Sequence, residues 1–302
     1  MFFSSRVVVW LVLLIPASTF AQSSVTSNPY ELGRRYFFGR TVPHDYQKAA
    51  FFFRAAADSG DPRAQFMLGN LYFGGLGISK DLSRAADCYR ASAAQGYTRA
   101  QNNLASLYQH GQGVPQDLQQ AVRWYLVAAI LGDPVAQANL GTLYYIGEGV
   151  PQDFNKAAKW FRAAAISGQP NAQSDLAVMY SLGRGVPKDY SEAARWARAG
   201  AASGFPPAQF SLAFLYEHGL GLPFDYVAAY ALYSRASHAG DPNATARMAS
   251  LRQVMTPKQL SQGSLLASTD SPAAAGPALA YGTAPEPSSV SADNFDPNPQ
   301  SN

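Results

Sequence analysis

Gly60, Gly96, Gly132, Gly168, Gly204 and Gly240 are separated by a constant step of 36 residues without insertion. A chain that repeats at this interval cannot build one irregular globule. Each unit must adopt the same local geometry, and neighbouring units must bury one another's apolar faces. The same step links Ala64, Ala100, Ala136, Ala172, Ala208 and Ala244. It also links Leu68 through Leu212 and Tyr72 through Tyr216, and it carries a column of aspartates, Asp81, Asp117, Asp153, Asp189 and Asp225, that reaches back to Asp45. Six units follow, at 25–60, 61–96, 97–132, 133–168, 169–204 and 205–240.

Each unit reads as two antiparallel helices. Asp61-Pro62 and Asp133-Pro134 place a capping oxygen before a proline at the first helical position, where the missing N–H costs nothing. Ala64, Leu68, Leu71 and Tyr72 recur at helical spacing and predict a buried stripe. A glycine-rich loop such as Gly147-Glu148-Gly149-Val150-Pro151 ends the first helix. Asp153 then caps a second helix through Ala157, Trp160, Phe161 and Ala164, and Gly168 closes it. Asp117 with Gln120, and Asp189 with Glu192, have the spacing of reciprocal capping boxes. Small residues such as Ala100 and Ala121 let helix backbones approach, while Leu, Tyr and Trp fill the layers between. Stacking of this kind also accounts for a charged fraction of only 14%. The expected fold is all-α, a right-handed α/α superhelical solenoid of six 36-residue helix-turn-helix repeats with a C-terminal capping helix.

The pattern Ala136-x-x-x-Leu140-Gly141-x-x-Tyr144-x-x-Gly147-x-Gly149-Val150-x-x-Asp153-x-x-x-Ala157-x-x-Trp160-x-x-x-Ala164-Ala165-x-x-Gly168 resembles the Sel-1-like repeat. That family is related to tetratricopeptide repeats and has a longer, glycine-rich loop between its helices. The resemblance covers residues 28 to about 240. The first unit departs from it, with Asn28 for the alanine and Thr41 for a loop glycine, and Cys88 replaces the tryptophan in the second. Such departures suit an atypical terminal unit.

The ends of the chain differ from the array. Arg6 precedes a nine-residue apolar run, Val7 to Ile15, then Pro16 and the small residues before Ala21. This is the layout of a secretory signal cleaved after Ala21, too short to span a bilayer. The sequence therefore predicts an exported protein, periplasmic or secreted, with no transmembrane segment in the mature chain. Residues 22–240 form the solenoid and 241–261 its C-terminal cap. Residues 262–302 are rich in Pro, Ser and Ala, have no Lys or Arg, and carry −4, so they read as a disordered acidic tail.

Candidate chemistry is sparse. A single cysteine, Cys88, excludes a disulfide framework and a cysteine-rich zinc site. It falls in the Trp124, Trp160 and Trp196 column with no histidine in phase, which points to packing rather than nucleophilic catalysis. His110 and His218 share one repeat position three units apart, too far to share a metal or a proton, and His44 and His238 have no partner fixed by sequence. The aspartate column is explained by helix capping. The glycine loops lack Gly-Lys-Ser/Thr and follow no strand, so they are not phosphate loops. A net charge of +3 leaves no nucleic-acid footprint. No catalytic residue, metal or cofactor is expected. Some cysteine-rich members of the resembled family are described as penicillin-binding or β-lactamase-like. They carry paired cysteines, which this chain lacks, as it lacks any Ser-x-x-Lys.

Positions that vary while the frame stays fixed are free to recognise something. By resemblance to tetratricopeptide arrays, the first helix of each unit lines a concave face. Residues two before, two after and five after the motif leucine should point into it. These are Phe37, Phe66, Asn70, Phe73, Asn102, Ser106, Gln109, Ala138, Thr142, Tyr145, Ser174, Val178, Ser181, Phe210, Phe214 and Glu217. Aromatic ends with a polar middle suit an extended peptide. The expected function is a non-catalytic protein–protein interaction scaffold or adaptor in the cell envelope or outside the cell, with a protein or peptide partner. The alternatives are a cell-wall-active enzyme or an envelope signalling regulator.

Overall fold

The structure, a computed structural model, describes residues 28–39 and 41–269. Among the described residues there are fourteen α-helices and no strand. The chain is an all-α repeat solenoid. The leader at 1–21 and the tail from residue 270 onward lie outside the described residues.

Two compact units divide the chain, Met1–Cys88 and Tyr89–Asn302. The first holds α1 (Pro29–Phe38), α2 (Tyr46–Asp58), α3 (Pro62–Gly74) and the opening of α4 (Leu82–Ala94). After the end of α4, the second continues with α5 (Thr98–His110), α6 (Leu118–Ile130), α7 (Pro134–Ile146), α8 (Phe154–Ile166) and α9 (Pro170–Leu182). It ends with α10 (Tyr190–Ala202), α11 (Pro206–His218), α12 (Tyr226–His238), α13 (Pro242–Val254) and α14 (Pro257–Ser268).

Capping chemistry sets the helix starts. The Asp61 carboxylate accepts from the N–H groups of Arg63 and Ala64, and Asp133 accepts from those of Val135 and Ala136. On the second helices Asp45, Asp81, Asp117, Asp153, Asp189 and Asp225 do the same. Each such cap stabilises its helix by roughly 1 kcal/mol. The N–H bond from Lys48 holds the Asp45 carboxyl below the usual range, that from Lys156 does so for Asp153, and the Arg63 guanidinium does so for Asp61. Reciprocal capping boxes at Asp117/Gln120 and Asp189/Glu192 do not form; only the aspartate arm is made, and Glu192 pairs instead with Arg195 at 3.2 Å. A complete box occurs at Thr256 and Gln259.

Within the second unit the core repeats in layers. Leu104, Leu140, Leu176 and Leu212 are fully buried, as are Leu107, Leu143 and Met179 three residues further on. Each such side chain contributes about 1.5–3 kcal/mol on burial. On the second helices the deepest column is Tyr125, Phe161, Ala197 and Tyr233, preceded by Tyr89. The tryptophans precede this column by one residue, so Trp124 and Trp160 are only half-buried while Trp196 is buried. In the first unit Phe53 fills the same place, against Gly33 of α1.

Glutamines also recur at the 36-residue step, Gln65, Gln101, Gln137, Gln173 and Gln209, and within the second unit three of them tie one repeat to the next. Gln101, Gln137 and Gln173 donate Nε2 to the carbonyls of Ala93, Ala129 and Ala165, at 3.2, 3.1 and 3.0 Å. Those carbonyls lie in the last turn of the preceding helix, where each also accepts the backbone N–H of the closing glycine, Gly96, Gly132 or Gly168, so the glutamine supplies a second donor.

Two boundaries move. Thr41, in phase with Gly77, adopts the left-handed φ of 65° that glycine takes in later units. At the other end α14 runs to Ser268, past the expected limit of the cap at 261. Its Gly263 lies against Tyr230 of α12, and Arg235 donates to the carbonyls of Leu266, Ala267 and Thr269. Tertiary docking, rather than composition, makes this segment helical.

Candidate interaction surface

In the second unit the first helices α5, α7, α9 and α11 carry the positions expected to recognise a partner. Thr142 and Val178 are exposed, while Asn102, Ser106, Gln109, Tyr145, Ser181, Phe210, Phe214 and Glu217 are half-buried. Ser174 is a correction: it is 4% exposed, and Ala138 in the same column 1%, so neither lines an open groove. At this position a short side chain ends beneath its neighbours, whereas a phenylalanine reaches out from between them.

Most of these side chains already hold one another. Asn139 Nδ2 donates to Asn102 Oδ1 at 3.0 Å, across one repeat. Gln109 Nε2 donates to Glu148 at 3.3 Å and its Oε1 accepts from the Tyr125 hydroxyl at 3.1 Å. Arg184 donates to the Tyr145 hydroxyl at 2.7 Å. Glu217 accepts from the Tyr233 hydroxyl at 2.7 Å and pairs with Arg247 at 3.5 Å. Burial pushes the Tyr125 phenol up to about 12, and burial with the Glu217 carboxylate pushes Tyr233 up as well, so both stay protonated donors. Thr142 and Ser181 turn their hydroxyls onto the Ala138 and Ala177 carbonyls. Phe210 packs edge-on against Tyr233, and Phe214 lies beside His218 and under Arg247.

In the first unit Phe37 is half-buried in an aromatic cluster with Phe38, Tyr46 and Phe53. Phe66 and Asn70 are half-buried and Phe73 is 40% exposed.

The column immediately before the motif leucine belongs to this face as well, although the expected set omits it. Asn103, Asn139, Asp175 and Ser211 are all half-buried, and they vary from unit to unit as the expected positions do. Asp175 stands out. No described donor or cation bonds to it, and loss of water alone pushes its carboxyl up to about 6.

Other candidate groups serve the framework. His110 and His218 turn Nδ1 onto the carbonyls of Ser106 and Phe214, both at 2.9 Å, at the ends of their helices. Cys88 is half-buried, and burial pushes its thiol up to about 11, the reverse of an activated nucleophile. Among the described residues no three His, Cys, Asp or Glu side chains cluster as a metal site, and no helix is long and apolar enough to cross a membrane.

Paired helices on a fixed pitch, with varied side chains on one helix face, define an α/α repeat protein. The Sel1 repeat matches six times, at residues 30–61, 62–97, 98–133, 134–169, 170–205 and 206–241. Similar solved structures include the following two. One is c5321, a protective antigen present in uropathogenic Escherichia coli strains displaying an SLR fold. It is 32% identical with a TM-score of 0.71, over 79% of this chain and 51% of that one. The other is a Sel1 repeat protein from Oxalobacter formigenes, 34% identical with a TM-score of 0.67, over 74% of this chain and 64% of that one. The chain thus spans about half to two thirds of the length of these structures. No protein of curated function matches it. The chain belongs to the Sel1 repeat family. Sel1 repeat proteins generally mediate protein–protein interaction, and their fold is typically non-catalytic.

Proposed function

We propose that this protein is a non-catalytic scaffold of the cell envelope or extracellular space that takes an extended peptide or protein segment along its first-helix face. The observation that carries this reading is the set of bonds joining that face across repeats, Asn139 to Asn102, Gln109 to Glu148 and Tyr145 to Arg184. Side chains fixed before contact lose little freedom on binding, so more of the interaction energy appears as affinity. Between them Thr142 and Val178 offer exposed surface, and the unpartnered Asp175 carboxylate offers an acceptor for a partner's N–H or cation. Extracytoplasmic location rests on Arg6, the apolar run Val7 to Ile15 and the small residues ending at Ala21. Nothing among the described residues favours the cell-wall enzyme or the signalling regulator.

The test places a photo-crosslinking residue at Thr142 or Val178, with Arg123 on a second helix as control. Partner adducts should form from the first two sites and not from the third. Adducts from Arg123 alone would refute the surface assignment. N-terminal sequencing of the protein from an envelope or culture fraction should begin at Gln22.

A further inference from the structure

A second surface feature lies in the first unit, in the crease between α2 and the segment that leads into α4. Arg54, Tyr72, Ser79, Lys80, Asp81 and Arg84 line a cleft of about 390 Å³. Arg54 Nη2 donates to the Tyr72 hydroxyl at 2.9 Å, and Arg84 Nη1 approaches the same oxygen at 3.4 Å. Two guanidinium groups therefore converge on one neutral atom. Asp81 is the only acid lining the cleft. It is already engaged, accepting the Arg84 backbone N–H at 3.0 Å and lying 3.4 Å from Arg84 Nε. Asp58 and Asp87 are near Cys88 but do not line the cleft. Three cations against one committed carboxylate leave a charge of +2 on the lining.

We propose that this crease binds a phosphate group. Two guanidiniums and an ammonium can donate to several oxygens at once, and a phosphate monoester carries about −1.5 to −2 at neutral pH, which matches the excess charge. Binding would also relieve the repulsion between Arg54 and Arg84.

The chain holds its own control 108 residues further on. There Arg162 donates to the Tyr180 hydroxyl as Arg54 does to Tyr72, beside a cleft of about 490 Å³ lined by Asn155, Lys159 and Arg162. The position of Arg84 is taken by Glu192, which pairs with Arg195. An acid in that place removes the convergence of cations.

The experiment titrates the full mature chain with inorganic phosphate, phenyl phosphate and acetate, at ionic strength held constant with chloride. Affinity is read from amide shifts by NMR. Both phosphates should bind in preference to acetate; the tighter of the two tells whether a free anion or an ester is the natural occupant. Arg84→Glu and Lys80→Ala should each weaken binding at least about tenfold, as expected for loss of a charge-assisted contact, with the helical CD signal retained. Lys188→Ala, at the equivalent place in the second crease, should leave it unchanged. Acetate binding as well as phosphate, or wild-type affinity in Arg84→Glu, would overturn the proposal.

Discussion

Gly185 offers the most direct measurement of how one repeat is fastened to the next. It has a left-handed φ of +69°, and a Cβ added there would lie 2.0 Å from the carbonyl oxygen of Phe154 and 2.3 Å from its carbon. Those atoms belong to the first turn of α8, in the preceding repeat, and backbone cannot rotate out of the way as a side chain can. Two costs combine in Gly185→Ala. The left-handed conformation costs an L-residue about 1–2 kcal/mol, less about 0.4–1 kcal/mol recovered from a stiffer unfolded chain. Forced overpacking adds about 1–3 kcal/mol. Gly168 separates the two, since its φ is +86° but nothing lies within 4 Å of an added Cβ. Gly168→Ala should therefore lose about 0.5–1.5 kcal/mol, and Gly185→Ala about 1–3 kcal/mol more. Urea denaturation followed by CD at 222 nm measures both. For a unit of this size each kcal/mol corresponds to about 2–4 °C in melting temperature. Because array stability depends on nearest-neighbour interfaces, Gly185→Ala should also broaden or split the transition, while Gly168→Ala should not. Equal losses in the two variants, within about 0.5 kcal/mol, would show that contact with the previous repeat is not what requires the loop glycine.

Asp175 has a folded pKa of about 6 against an ordinary 3.8, so the native state holds its proton more tightly than the unfolded chain does. Its ionisation costs stability as pH rises from about 4 through 6, and Asp175→Asn should stabilise the protein by about 1–3 kcal/mol at pH 7 and by almost nothing at pH 4. A difference between variant and wild type that does not change with pH would sink this account. Cys88, with its thiol pushed from 9.0 to about 11, should react with iodoacetamide at pH 8 on the order of a hundredfold more slowly in the folded chain than in urea; equal rates would contradict its burial. Thr41→Gly should raise stability by about 0.5–1 kcal/mol, because the left-handed φ of 65° strains a β-branched residue, and thermal melting would show it.

The helix pairs are legible in the sequence because every unit states the same instructions. The cap, the leucine stripe and the loop glycine each act within a few residues, and repetition in Asp81, Asp117 and Asp153 separates them from accident. What cannot be read acts at a distance. The partners of Gln109 and Tyr145 are Glu148 and Arg184, each 39 residues further along, and nothing local says that these side chains meet. Periodicity alone puts Ser174 on the open face, yet its short side chain leaves it covered. Residues 262–268 share the composition of an unfolded tail, yet they continue the helix started by the Thr256 cap because Arg235 and Tyr230 of α12 receive them. Asp175 lies one residue outside the three columns that helical spacing selects, although its own column varies as freely.

The docking of α14 has a further meaning for a protein built by addition. Any internal junction of an array is also an invitation, since the face that accepts the next helix pair in the same molecule could accept one from another molecule. Head-to-tail contacts of that sort do not close and lead to fibres. By packing onto α12, with the carbonyls of Leu266 and Ala267 held by Arg235, α14 occupies a place that a stranger's repeat could otherwise seek. Among the described residues, a surface that could admit a neighbour's helix is thus filled from within the same chain.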